Sequence, residues 1–165
     1  MQLSAQEEFG LRCLLRLAQA GPDAMMSIHE ISRAEGISMP HAAKLMRVLR
    51  EGGLVASERG QAGGYQLARP PEEITAKQAI HVLGGELYGG EFCGRFSGHE
   101  DHCTNSIDCS IRSLWRAVQS VVDQLLTRTS IRDLMCAEQE MDRFVGDLVV
   151  LTGGTAPVTA RANHG

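Results

Sequence analysis

The residues best equipped for chemistry are three cysteines, Cys93, Cys103 and Cys109, spaced Cys-x9-Cys-x5-Cys in a glycine-bearing stretch without hydrophobic periodicity. Thiolates are soft ligands, and three of them in one loop suit an iron–sulfur cluster (2Fe-2S or 4Fe-4S), with zinc or copper(I) as alternatives. A helical pattern resumes directly after Cys109, so this thiol sits where a helix dipole favours the thiolate that a metal requires. His99 and His102 lie in the same stretch and are local candidates for a fourth ligand, against the plainer alternative of solvated loop residues. Without a metal, the trio reads as a thiol switch. Cys13 and Cys136 fall in other segments and read as small apolar packing residues.

The compartment decides how such cysteines are read. The first ten residues, MQLSAQEEFG, lack the basic start and apolar stretch of a signal peptide, and no apolar run approaches the roughly 20 residues of a membrane helix. A cytoplasmic protein with no membrane partner is the expectation. In that reducing compartment, clustered cysteines point to metal or redox chemistry rather than to disulfides. The 165 residues suit one domain, or one domain with an extension for self-association. Hydrophobic residues make up 43% and aromatic ones only 4%, so the core must be aliphatic.

Several elements must position these groups. Residues 4–20 predict a helix, with Leu11, Leu14, Leu15 and Ala18 at i, i+3, i+4, i+7 spacing and Gly21-Pro22 as its end. Ser27 and Glu30 form a capping-box pair for a second helix, with Ile28 and Ile31 inward, that stops at Gly36. Ser38 caps a third helix, which tolerates Pro40 in its first turn and buries Ala42, Leu45, Met46 and Leu49 before Gly52-Gly53. Two short helices joined by a tight glycine turn are a helix-turn-helix pattern.

Residues 54–69, LVASERGQAGGYQLAR, then predict a β-hairpin, or wing, around GQAGG, ended by Pro70-Pro71. A fourth helix follows around 75–83, with Ala76, Ala79, Ile80 and Leu83 on one side. After the cysteine stretch, Ile111, Val118 and Leu125 recur at sevens, with Leu114 and Val121 between them and Trp115 and Val122 widening the seam. That seam, on a helix of about 28 Å, is wider than one small domain needs and predicts a homodimer. Ser130 with Asp133 starts a short further helix, and another is expected over 139–150. The organisation expected is a winged helix-turn-helix domain over 1–83, a cluster-binding loop over 84–109, dimerisation and C-terminal helices over 110–150, and a disordered tail over 151–165. The fold class is thus mainly α with a small β-hairpin wing.

The net charge of −4 carries no global sign of a nucleic-acid binder, but residues 32–69 hold six basic against three acidic side chains. In a helix-turn-helix the start of the second helix faces base edges in the major groove. Here that helix exposes Ser38, His41, Lys44 and Arg47 opposite its apolar stripe, groups that suit base acceptors and phosphates. Arg59, beside Gly60 at the hairpin tip, can enter the narrow, electronegative minor groove. The plainer alternative is the solvated face of an amphipathic helix; the whole unit of helices, basic face and Arg-tipped hairpin favours operator DNA as partner.

The wing run RGxxGGYxLA, here Arg59, Gly60, Gly63, Gly64, Tyr65, Leu67 and Ala68, closely resembles the Rrf2 family of bacterial regulators. So do the start MQLS…GLR and the cysteines before a long helix. The resemblance covers about 1–136 and implies a dimeric winged-helix protein with a long dimerisation helix, in many members with an iron–sulfur cluster. The gap between the first two cysteines is longer than is usual in the family, and Arg112 stands where some members have a histidine. The EFGLR segment resembles that of nitric-oxide-sensing members, in which a first-helix carboxylate from the partner subunit completes the cluster. That implies Glu8 as fourth ligand, with Arg12 at i+4 to hold it; a plain exposed Glu8–Arg12 helix pair is the alternative.

The expected function is a DNA-binding transcription regulator whose operator binding responds to cluster state, and through it to redox state, nitric oxide or iron and cluster supply. The alternative is a metal-free regulator of the same type, controlled by a protein partner or by thiol oxidation. An enzyme has little support: the chain has no phosphate loop, nucleophile elbow or hydrolytic His/Glu metal motif.

Overall fold

The first helix, α1 (Ala5–Ala20), begins in a reciprocal cap. The Ser4 hydroxyl accepts the Glu7 N–H at 3.3 Å, and the Glu7 carboxylate accepts the Ser4 N–H at 2.6 Å. The computed structural model describes residues 4–22, 24–58, 60, 63–85 and 108–151. Cys13, Leu14, Leu17 and Ala18 of α1 enter the core. Helix α2 (Ile28–Glu35) repeats the device with Ser27 and Glu30, and ends at Gly36, whose left-handed φ of 65° a side chain would strain. Helix α3 (Met39–Glu51) starts at Ser38 and buries Ala42, Leu45, Met46 and Leu49 completely. The predicted stripe is the observed one, because the 3.6-residue repeat fixes which side chains share a face.

Strands β1 (Val55–Ser57) and β2 (Tyr65–Leu67) pair antiparallel, Val55 opposite Leu67 and Ser57 opposite Tyr65. The hairpin is anchored to the body at Met26. The Met26 N–H donates to the Tyr65 carbonyl at 2.9 Å, and the Tyr65 N–H donates back at 2.8 Å. This exchange brings backbone against Gly64, where an added Cβ would stand 2.8 Å from the Met26 carbonyl oxygen. The glycine before the tyrosine is therefore a matter of close approach. Gly64→Ala is expected to cost about 1–3 kcal/mol of unfolding free energy in a denaturant titration, because backbone yields less readily than a side chain.

Helix α4 (Ala76–Leu83), capped by Thr75 and Gln78, lies against α1 and α3. Helix α5 (Ser110–Arg128) packs on α4 and is locked there at its C-terminal end. The Ala76 N–H donates to the Thr129 carbonyl at 2.7 Å, the Ile131 N–H donates to Ile74 at 2.8 Å, and Ile131 is fully buried. Lys77 and Asp123 add an ion pair at 3.0 Å. Ser130 and Asp133 cap a short 3-10 turn, Asp133–Met135.

The apolar seam of α5 divides in the structure. Val118, Val122 and Leu125 are half-buried, while Ile111, Leu114, Trp115 and Val121 stay 61%, 57%, 40% and 60% exposed. A helix of 19 residues docked mainly at one end on an eight-residue helix cannot hide a stripe along its whole length. The compact unit formed with α1 to α5 ends at Met135, and a second unit begins at Cys136 and holds α6 (Glu138–Leu151). Cys136 is exposed, which overturns the expectation that it packs in a core. It lies in the short bend between the 3-10 turn and α6, outside any helical face that could bury it. The tail expected to be disordered lies outside the described residues beyond Leu151. No described helix is long and apolar enough to cross a membrane.

Candidate nucleic-acid interface and thiol site

Helix α3 turns its polar groups away from the stripe. Ser38, Lys44 and Arg47 are exposed, and His41 is half-buried. The Ser38 Oγ accepts the His41 N–H at a long 3.4 Å, so its own O–H remains to donate outward. The Arg47 Nε lies 3.8 Å from Glu51 in a pair exposed on both sides, which binds the guanidinium only weakly. Arg59, expected from the sequence to lie at the hairpin tip, is outside the described residues.

His41 is more constrained than its position on an outward face suggests. Its ring meets the edge of Phe9 in α1, centroids 5.6 Å apart at 75°. The Arg12 guanidinium stands 5.2 Å over the same Phe9 ring. The Nε atoms of Arg12 and Arg16 both donate to Glu35 at 2.8 Å, one to each carboxylate oxygen, and the Glu35 side chain is only 3% exposed. Two cations thus satisfy one buried anion at the end of α2. Helix α1 is fastened to both helices of the helix-turn-helix, to α2 by charge and to α3 by ring contact.

This arrangement corrects one expectation: Arg12 holds Glu35, not Glu8. Glu8 is exposed and has no ion pair among the described residues. An exposed i, i+4 pair is worth a few tenths of a kcal/mol at best, so a buried carboxylate wins the competition for the guanidinium. Phe9, Arg16 and Glu35 carry no sequence signal for this role. Glu7 did: Ser4-x-x-Glu7 is a capping-box spacing. Its carboxylate also lies directly against Gly84, and the Gln6 side-chain amide donates to the Leu83 carbonyl. The start of α1 is therefore seated on the end of α4, where the chain departs toward the cysteine stretch.

Of the three clustered cysteines, Cys109 is described. It is the N-cap of α5, half-buried, and its sulfur accepts the Arg112 N–H at 3.4 Å. At the N-cap the sulfur stands at the first exposed turn of α5, accessible as a donor where the chain enters the helix. Cys93, Cys103, His99 and His102 lie outside the described residues, and among the described ones no three His, Cys, Asp or Glu side chains gather as a metal site. Cys13 is different. Burial, with the nearby Glu35 charge adding and Arg12 opposing, pushes its thiol up to about 12. At neutral pH it is a protonated packing group, as expected for a cysteine on a helix's core face.

The comparisons with known proteins agree with this architecture. The Rrf2 family model, described as iron-dependent transcriptional regulators, matches residues 3–137. The Rrf2 protein of Nitratidesulfovibrio vulgaris is 31% identical over 135 residues, 82% of this chain and 87% of that protein. The solved structure of CymR, the global cysteine regulator of Bacillus subtilis, superposes with a TM-score of 0.67 at 28% identity, over 82% of this chain and 96% of that one. That of IscR from T. potens superposes at 0.64 with 29% identity, over 82% and 86% of the two chains.

Proposed function

The chain belongs to the Rrf2 family of transcription regulators, and on that premise we propose that it reads operator DNA as a homodimer under the control of an iron–sulfur cluster. The observation that carries the DNA reading is α3: a completely buried aliphatic stripe behind an outward row of Ser38, His41, Lys44 and Arg47, beside the anchored hairpin. Ser38 and His41, at the start of the helix, suit base edges; Lys44 and Arg47 suit phosphates; Arg59 suits the minor groove. Lys44→Ala and Arg47→Ala are each expected to weaken binding to every DNA sequence. Each should also lower the slope of log affinity against log salt by about one unit, since one phosphate contact releases about one counterion. Unchanged affinity and slope in both variants, measured by fluorescence anisotropy, would remove this assignment.

For the second half of the reading, the fit rests on the donor chemistry of Cys109, a thiol presented at a helix N-terminus with a backbone N–H on its sulfur. Cys93, Cys103 and Cys109 would hold the cluster, with Glu8 of the partner subunit as fourth ligand. When bound, the cluster supplies reversible electron transfer and reactivity toward nitric oxide or oxygen. The chain's own residues supply the coupling. Glu8 lies between Glu7, which seats α1 on Gly84, and Phe9, which touches His41. A pull on Glu8 would thus reach the recognition helix through the packing of α1 on α3, in which the Phe9–His41 contact lies next to Glu8. The exposed stripe of Ile111, Leu114, Trp115 and Val121 is the surface for the second copy.

Glu8→Ala is expected to shift the anaerobic absorption spectrum and speed loss of the visible band under nitric oxide while iron content is retained, because a carboxylate is the hardest of the four ligands. A His99→Ala/His102→Ala double variant should match the parent. Were the spectrum to change only in the histidine variant, the fourth ligand would be local and the role of Glu8 lost.

A further inference from the structure

A cleft of about 600 Å³ opens between the C-terminal end of α1, the root of the β-hairpin and the 3-10 turns at Pro71–Glu73 and Asp133–Met135. None of its lining residues belongs to the α3 face or to the cysteine cluster. Its size falls within the range of small-molecule sites, roughly 300–1,000 Å³. The apolar part comes from Leu17 and Ala18 of α1, Leu67 of β2, Pro22, Pro71 and Met135. A surface concavity lined so heavily by aliphatic groups and proline rings leaves water poorly bonded, and an apolar body gains by replacing it. The charged part comes from Arg69, Arg132 and Glu72. Arg132 and Glu72 are 4.0 Å apart and both 60% exposed, a loose pair; Arg69 has no ion pair among the described residues. The balance is one positive charge beside an apolar wall.

We propose that this cleft binds a small amphipathic organic anion, a carboxylate with an aliphatic body. The carboxylate pairs with the Arg69 guanidinium and the aliphatic body lies along Leu67, Met135 and the rings of Pro22 and Pro71, over a floor formed by the buried Leu17 and Ala18. The planar fork of Arg69 matches two carboxylate oxygens, and the apolar wall selects against small hydrated anions that offer charge alone. Leu67 and Arg69 flank the end of β2, so an occupant abuts the root of the wing. An effect of the ligand on operator binding rests on the DNA reading above; the site itself does not.

The test titrates octanoate into the full-length protein without DNA, followed by methyl NMR. Saturable shifts at Leu17, Leu67 and Met135 are expected. Butyrate, 1-octanol and octanoate with Arg69→Gln should each bind about tenfold or more weakly, the equivalent of one charge-assisted hydrogen bond or a few methylenes. Gln19→Trp, at an exposed position on the rim, should fill the cleft and suppress the shifts while the spectrum stays folded. Three results would each overturn the proposal: no saturable shift at these methyls, equal binding of 1-octanol, or shifts confined to Ile111, Leu114 and Val121, which would mark adsorption to the exposed seam. Should octanoate bind as expected yet leave operator affinity unchanged in a separate anisotropy titration, the site stands and only its link to the wing falls.

Discussion

Alanine at Cys93, Cys103 or Cys109 is expected to abolish the visible absorbance and iron of anaerobically purified protein, whereas alanine at Cys13 or Cys136 leaves both intact. The contrast follows from where each sulfur sits. Cys109 caps α5 half-buried, with its sulfur accepting a backbone N–H at the edge of the cysteine stretch. Cys13 is sealed in the core with its thiol pushed up to about 12, so releasing its proton to a metal is unfavourable at neutral pH. Cys136 is exposed and lies beyond the far end of α5 in the chain, well outside the stretch that holds the other three. Two thiolates rarely retain an iron–sulfur cluster that three or four hold, so the loss should be nearly complete rather than graded. Full iron content in the Cys103 or Cys109 variant would sink this ligand assignment, and an anaerobically purified parent without iron or visible absorbance would leave the metal-free thiol switch in its place.

Leu114→Glu combined with Val121→Glu should convert the protein to a monomer in sedimentation velocity and weaken operator binding by on the order of 10²–10⁴-fold. Both side chains are well exposed in the single chain, so charge there leaves the packing of the monomer untouched and its circular dichroism unchanged. Across a dimer seam each carboxylate would be buried without a partner, which a helix pair cannot tolerate. The loss in operator affinity follows from linkage. Two recognition helices on one rigid body bind their half-sites as a single event, and separate monomers lose that effective concentration. A double variant that still sediments as a dimer would show that α5 is not the interface.

The local structure of this protein was legible in its residues because each feature is decided by a few neighbours along the chain. Ser27 with Glu30 and Ser38 with Pro40 mark helix starts, Gly36 supplies the one left-handed residue that a tight turn needs, and the stripe Ala42, Leu45, Met46, Leu49 follows from helical geometry alone. The pairing of β1 with β2 follows from their closeness in sequence around a glycine-rich turn. The donor types, cysteines in a loop and basic groups on one helix face, were equally plain.

Partner choice was decided only in three dimensions. From sequence, Arg12 belonged to Glu8 four residues away; in the fold it is taken, together with Arg16, by Glu35 from another helix, because a buried carboxylate gains more from a cation than an exposed one does. His41, read as a solvated reader of bases, is also held by Phe9, and Gly64 owes its identity to the backbone of Met26. The single apolar seam of α5 became a docked side and an exposed side once α4 proved too short to cover it. Periodicity states that a face is apolar; what covers that face depends on which other surfaces tertiary packing brings within reach. Local pattern sets each element and its chemistry, while competition among distant groups for the same charge, ring or apolar surface sets how those elements are joined.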